Sequence, residues 1–445
     1  MTNRKKLLYP LIALFVILFS SCEKDDDKTF LFPGMSKLEF GYNANVIELT
    51  IGNIADQSLE WSASTQDDFL AFSKTSGMID VNEYQTISVS LQRDKIAGDS
   101  ISSSIKLTSS VGNDVNISVF ILNYPENKIR LSYRVADAAF DANGQLLYIL
   151  PSVPDFLDIF DLSDKTFKRI DLDLNQYSNM SFLELMPDGK NLFISQHSFL
   201  YQFDVAQGKI AFSNQFDDYL ISATGTPNQK LYLTTDDWSQ NFYTLDVSTH
   251  QLVLNNIDLD DCYIQVHPSW KYLYGTDYYD DFTKIDIQGE TPQVIYSNYY
   301  LGGADKIWIT GEGQRIITSD KRFLTIDPDL PGEDILNSEN INNSAFPVIG
   351  DVAFDKETNE YYIIFKPSDY YENYASLHVF DETMNPLREI VPEPFLENTN
   401  NGGYESVRAT PKIIFSNPAN NTIILLTKAE SNSENIYGIE IIGSD

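Results

Sequence analysis

The sequence predicts an all-β chain: a small β-sandwich followed by a seven-bladed β-propeller. Three observations carry that expectation. Aromatic residues make up 13% of the chain, nearly all of them tyrosine and phenylalanine, and such rings favour strands over helix bundles. Between residues 36 and 123, period-2 stretches are broken by Asn, Gly and Asp turns, the pattern of an antiparallel sandwich. From residue 135 onward one signature recurs to the C-terminus, an apolar residue or pair closed by an acid.

Ahead of both domains lies a leader. Arg4, Lys5 and Lys6 open it, residues 7–19 form a 13-residue apolar core, and Ser20-Ser21 follow. That order of charge, apolar core and small residues is the order of a secretory signal over residues 1–21. Thirteen residues fall short of the ~20 that span a bilayer, and Pro10 interrupts the run. Cys22 comes directly after the small residues, and this arrangement resembles the bacterial lipobox. The resemblance implies that Cys22 becomes a lipid-bearing N-terminus, with the membrane as a partner through that lipid. Several acyl chains, at ~0.8 kcal/mol per buried CH₂, hold a protein on a membrane without a spanning helix. A plain cleaved signal is the alternative. Residues 22–35 read as an acidic tether. Within it, Glu23-Lys24-Asp25-Asp26-Asp27 resembles the short export signal of Bacteroidetes surface lipoproteins, which implies a surface-exposed position on the outer membrane.

Residues 36–124 contain the strand-like runs 45–51, 84–92, 103–110 and 115–123. Trp61, the Phe69-Leu70 pair, Ser76-Gly77 before a strand and Gly112 in the last hairpin follow one another in an order that resembles the BACON domain. The resemblance implies an immunoglobulin-like sandwich, acting as a spacer or as an accessory carbohydrate-binding module. Trp61 itself reads as a packing residue.

Residues 127–445 hold the repeat. Its acids are Asp161, Asp204, Asp246, Asp286, Asp327, Asp381 and Glu440, spaced 43, 42, 40, 41, 54 and 59 residues apart. Ahead of each lies a turn and an apolar strand, as in residues 141–150, 186–195 and 226–235. A repeat of ~40–45 residues with four short strands is the propeller signature, because one blade cannot bury its own faces. The last copy supplies only three strands before Asp445. The extra strand at 127–133 is placed to complete that blade from outside and seal the ring. The arrangement resembles the YVTN-type propellers, without their Tyr-Val-Thr-Asn tetrapeptide.

Composition narrows the function. The net charge is −33, which repels nucleic-acid backbones and excludes them as partners. With Cys22 lipidated, Cys262 has no partner for a disulfide and reads as a small core hydrophobe. His197, His250, His267 and His378 are dispersed without metal-ligand spacing. No nucleophile elbow, His-Glu-x-x-His or P-loop occurs, and no catalytic residue is assigned. Residues 171–182 begin like a calcium loop, with Asp171, Asp173 and Asn175, yet Gln176 and Phe182 stand where Gly and Glu are needed. No cofactor is expected, and calcium is left as the alternative, with no ligand set.

Aromatic and acidic residues coincide in the loops between second and third strands and in the blade-to-blade connections, which open on one face. Trp238, Tyr278, Tyr279, Tyr299, Tyr300, Tyr370 and Tyr371, with Asp236, Asp277 and Asp281, are the candidate ligand-binding residues. Rings offer stacking platforms and carboxylates accept hydrogen bonds from hydroxyls. That pairing suits a glycan or a partner protein on the cell surface. The alternative is a propeller enzyme of the lyase, lactonase or hydrolase kind, using carboxylates and a divalent cation.

Overall fold

A computed structural model describes residues 30–40, 45–96, 100–112, 114–122, 127–153, 155–172, 174, 182–236, 242–259, 262–276, 282–298, 304–341, 348–367, 374–398, 404–429 and 436–443. The chain divides into two compact units between Glu126 and Asn127.

In the first unit, one sheet runs in the order Leu31–Pro33, Val46–Asn53, Tyr84–Leu91, Leu70–Phe72. The other runs Lys37–Phe40, Val115–Leu122, Ser100–Ser109, Leu59–Ser64, Ser76–Ile79. Alternate residues of both sheets, among them Leu49, Ile51, Val89, Leu107, Ile117 and Val119, enter one buried cluster. Trp61 lies in that cluster, and its indole N–H donates to Gln85 Oε1 at 2.9 Å. Its ring therefore serves packing and offers no face to a ligand. The unit also starts earlier than residue 36. Leu31–Pro33, assigned to the tether from its position, pairs with Ile51 to Asn53. Leu31 is fully buried, and Pro33 is tolerated because this is an edge strand that needs no further donor.

Among the described residues, the second unit contains seven four-stranded antiparallel sheets. Blades 1 to 6 are formed by consecutive strands. Their inner strands are Val135–Asp141, Leu183–Leu185, Leu220–Gly225, Tyr263–Val266, Ile307–Ile309 and Val348–Asp355. Blade 7 is ordered Ala409–Asn417, Thr422–Ala429, Tyr437–Gly443, with Lys128–Leu131 as its outermost strand. The expected closure is thus present, and residues from the two ends of the propeller share one sheet. Seven buried apolar clusters each combine side chains of two adjacent blades, one cluster per junction. Cys262 belongs to the cluster between blades 3 and 4.

Two local devices explain the repeat. In every blade the turn into the second strand holds one residue at positive φ: Gln145, Gly189, Gln229, Trp270, Gly313, Asn359 and Asn421. A left-handed residue at this point lets a short hairpin match the strand twist. The second device is the recurring acid. Asp161, Asp246, Asp286 and Asp381 each accept the backbone N–H two residues on, and Asp204 accepts that of Gln207. The side chain thus satisfies the hairpin into the fourth strand, an Asx turn.

Two copies depart from this pattern. In blade 5, Arg315 pairs with Thr325, so Asp327 stands two residues beyond the equivalent position and caps a longer turn through Asp329 N–H. In blade 7, Leu425 pairs with Glu440 and Thr422 with Gly443. Gly443, not Glu440, therefore occupies the place of Asp161. The fourth strand of this blade is Lys128–Leu131, so the blade has no hairpin from its third strand to its fourth that needs an acid. Glu440 instead faces Lys128 across the closing strand, 3.5 Å away, with both side chains buried.

A second buried ion pair joins blades 4 and 5. Lys284 Nζ lies 2.8 Å from Asp334 Oδ2, with both side chains fully buried. Tyr274 and Tyr296 hydroxyls donate to Asp334 at 2.5 and 2.6 Å, and Lys284 donates to Pro328 O at 2.9 Å. Removing one partner strands the other charge in the core, which costs about 3–5 kcal/mol. Asp334→Ala is therefore expected to lower propeller stability by about that amount in urea denaturation. The pair Lys284→Met with Asp334→Asn, which keeps an oxygen for one tyrosine hydroxyl and offers an amide N–H to the other, recovers most of the loss. Equal stability of Asp334→Ala and the unsubstituted chain would show that the cluster is not buried in solution.

Candidate functional site

The seven inner strands surround a channel with a cavity of about 520 Å³, lined by residues from every blade. Each inner strand is paired on one side only, so its channel-side N–H and C=O groups would otherwise lack partners. At each of the seven junctions a side chain spans the gap. Asp137 accepts Leu183 N–H at 2.8 Å, and Glu184 accepts Gly225 N–H at 2.8 Å. Thr224 accepts Val266 N–H at 3.1 Å, and Gln265 accepts Ile309 N–H at 2.7 Å. Trp308 Nε1–H donates to Asp351 Oδ1 at 3.0 Å, and Asp351 Oδ2 accepts Ile414 N–H at 2.9 Å. Lys412 Nζ closes the circle by donating to the carbonyls of Val135 and Ala136.

This belt was not anticipated from the sequence. Its signal is a polar or indole residue inside a mainly apolar inner strand, held in repeat phase. Glu184, Thr224, Gln265, Trp308 and Asp351 are separated by 40, 41, 43 and 43 residues.

Burial perturbs the belt's charged groups. The Glu184 carboxyl is pushed up to about 8, chiefly by desolvation, with the Asp137 charge adding to it and Gly225 N–H opposing. Asp351 is raised for the same first reason, opposed by the N–H of Ile414. Lys412 is pushed down to about 8 by desolvation, with Lys366, Lys428 and Arg134 acting in the same direction and Asp137 against. Glu184 and Asp351 are thus high-pKa carboxyls of the kind that perform acid–base chemistry. Here each already holds a neighbouring strand. Among the described residues no three His, Cys, Asp or Glu side chains gather in a metal-holding group.

The end of the channel where inner and third strands begin is the face expected to carry ligand. Of the residues assigned to it, Asp236 is described. Its carboxylate accepts Tyr219 N–H at 2.8 Å, so it fixes the start of the blade 3 inner strand. Trp238, Tyr278, Tyr279, Tyr299, Tyr300, Tyr370, Tyr371, Asp277 and Asp281 lie outside the described residues, as does Cys22. Two tyrosines not individually singled out stand at this end instead. Tyr219 is 41% exposed and meets His197 of blade 2 edge-on at 3.9 Å. Tyr374 is 48% exposed, with the Arg408 guanidinium 4.9 Å above its ring. The other histidines are structural. His250 stacks on Phe212 at 4.3 Å, His267 bonds Gly313 O at 2.7 Å, and His378 bonds Ser376 Oγ at 2.9 Å.

The raised Glu184 carboxyl sets a pH dependence. Unfolded, it loses its proton near the ordinary value of 4.5; folded, near 8. Between those values only the folded state holds the proton, so this group's contribution is full at low pH and is lost as pH rises to 8. Glu184→Gln keeps an oxygen for Gly225 N–H and cannot ionise. Its melting temperature is expected to match the unsubstituted chain at pH 5 and to exceed it by several degrees at pH 8. Parallel melting curves for the two proteins across that range would contradict the assignment.

No protein-family model and no curated protein sequence matches the chain. Among solved structures it is similar to the crystal structure of the Myceliophteria thermophila Cps50 (Swd1) β-propeller domain, with a TM-score of 0.54 at 15% identity. That match covers 72% of this chain and 99% of the other. The likeness identifies the fold: the chain carries a β-propeller.

Proposed function

We propose that this chain is a lipid-anchored binding protein of the bacterial outer-membrane surface. The end of the propeller around the channel mouth takes a glycan or a partner protein. Cys22 is the lipid attachment point, and Glu23 to Asp27 begin the tether and act as an export tag. The first unit, BACON-like by its motif order, serves as spacer or accessory carbohydrate-binding module.

The observation that carries the binding reading is the exposure of Tyr219 and Tyr374 at the channel-mouth end, each beside a polar or cationic partner. Rings with one apolar face and a hydrogen-bonding edge suit sugars and protein hot spots alike. A propeller fold supports a binding or scaffold role in general. The described carboxylates of the channel are occupied in holding strands, which leaves them poorly placed to converge on a reacting atom. Among the acids, Asp236 likewise serves a backbone N–H.

Two measurements test this. A glycan array probed with the mature chain should show binding that falls when Tyr219, Trp238 or Tyr278 is replaced by alanine. Binding untouched by all three changes would remove the aromatic platform from the account. Growth with a labelled fatty acid should label the full-length chain, and Cys22→Ser should abolish the label. Label retained by that variant would move the anchor elsewhere.

A further inference from the structure

The channel mouth gathers cations in a chain that is otherwise strongly acidic. Lys306 immediately precedes the inner strand of blade 5, and Lys366 ends the second strand of blade 6 (Glu360–Lys366). Lys412 sits near the start of the blade 7 inner strand. All three line the same cavity and stand at the end where inner strands begin. Lys428 and Arg134 lie at that end too, near enough to lower the proton affinity of Lys412. This gathering occurs in a protein with 31 basic and 64 acidic residues.

Among the described residues, none of the three lining lysines has a carboxylate within ion-pair distance. Of the acids lining the channel, Asp137 gives Oδ2 to Leu183 N–H, and Asp351 gives Oδ1 to the Trp308 indole and Oδ2 to Ile414 N–H. Glu184, with its raised proton affinity, carries little charge at neutral pH. The lysines also repel one another: Lys306 depresses Lys366, after desolvation and with Asp351 acting against it, and Lys366 depresses Lys412, after desolvation and with Asp137 acting against it. Gly350 is part of this arrangement, since a Cβ there would stand 2.5 Å from Lys366 Cε. Like charges held together at a partly desolvated rim raise the affinity of that rim for an anion. Tyr263, whose ring lies 5.9 Å from Lys306 Nζ, adds an aromatic wall. A cavity of about 520 Å³ falls within the range of small-ligand sites.

We infer that the channel mouth binds the anionic group, carboxylate or phosphate, of a sugar-sized ligand, held by Lys306, Lys366 and Lys412 beside Tyr263. The inference rests on the binding reading above and narrows its ligand class to acidic sugars. Lys306 and Lys366 are exposed at the mouth and meet the anion directly. Lys412, tied to two carbonyls, supplies field from below.

Calorimetric titration of the full chain with glucuronate, glucose 6-phosphate and glucose, at matched low ionic strength, tests this. At least one of the two anions should bind at least about tenfold tighter than glucose, the worth of one charge-assisted hydrogen bond. Which of them binds names carboxylate or phosphate as the source. Lys366→Gln and Lys306→Gln should each weaken that anion about tenfold, with melting temperature unchanged. Lys209→Gln, on the outer strand of blade 2 at the opposite end, should leave binding as it was. No anion binding at millimolar concentration, equal binding of glucose, or full binding by both rim variants would overturn the inference. If neutral glycans still bind through the tyrosines in those variants, the acidic-sugar site fails while the surface-binding reading stands. Loss of all glycan binding on the array, with glucuronate still bound at the mouth, would separate them the other way.

Discussion

Side-chain bonds across the channel wall, at all seven blade junctions, hold this propeller's inner strands, and most of its unusual chemistry follows from them. An inner strand of a blade is an edge strand whose free side faces a narrow polar space. An unpaired N–H there costs about 1–3 kcal/mol when water is excluded. The chain answers with at least one spanning side chain per junction, from Asp137 to Leu183 N–H around to Lys412 on the carbonyls of Val135 and Ala136. Apolar clusters behind the belt supply the larger share of cohesion. They are non-directional, so the belt sets where neighbouring inner strands sit relative to each other.

Putting acids and a lysine to this use has electrostatic consequences. A carboxyl that bridges strands inside the wall is desolvated, which pushes Glu184 and Asp351 upward and Lys412 downward. Such perturbed values at a cavity suggest catalysis in other settings. Here structural work accounts for them, since every perturbed acid of the channel holds a strand. Among the described residues, Lys306, Lys366 and Lys412 at the mouth have no carboxylate within ion-pair distance, and Asp351 and Asp137 act on them from further away.

Much of the architecture was legible because the repeat announces it. The turn and the closing acid recur because each blade needs a left-handed residue at one hairpin and an Asx cap at the other, as Gln145 and Asp161 do. Closure by residues 127–133 was legible from a missing fourth strand. Glu440 misled because the eye finds an acid after Ile439, whereas register is set by pairing with Leu425 and Lys128. Leu31–Pro33 was hidden by length, three residues beside an acidic run. The belt was illegible one blade at a time: a lone Asp137 or Gln265 in an apolar strand looks like any solvent-facing position, and only phase across copies marks it. Tyr219 was not singled out within its loop because its edge-on contact with His197 comes from the neighbouring blade, which no local pattern encodes. The candidate ligand residues from Trp238 to Tyr371 lie outside the described residues, and the aromatic face is carried here by Tyr219 and Tyr374.

Native-state hydrogen exchange tests the central claim most directly, at the amides of Leu183, Gly225, Val266, Ile309 and Ile414. These N–H groups point away from their own sheets, so only the belt protects them. The account predicts that all five exchange as slowly as the ladder amides of the second strands, and that Asp351→Ala speeds Ile414 while sparing Leu183 and Gly225. Loop-like exchange at these five positions in the unsubstituted chain, with the second strands protected, would contradict it.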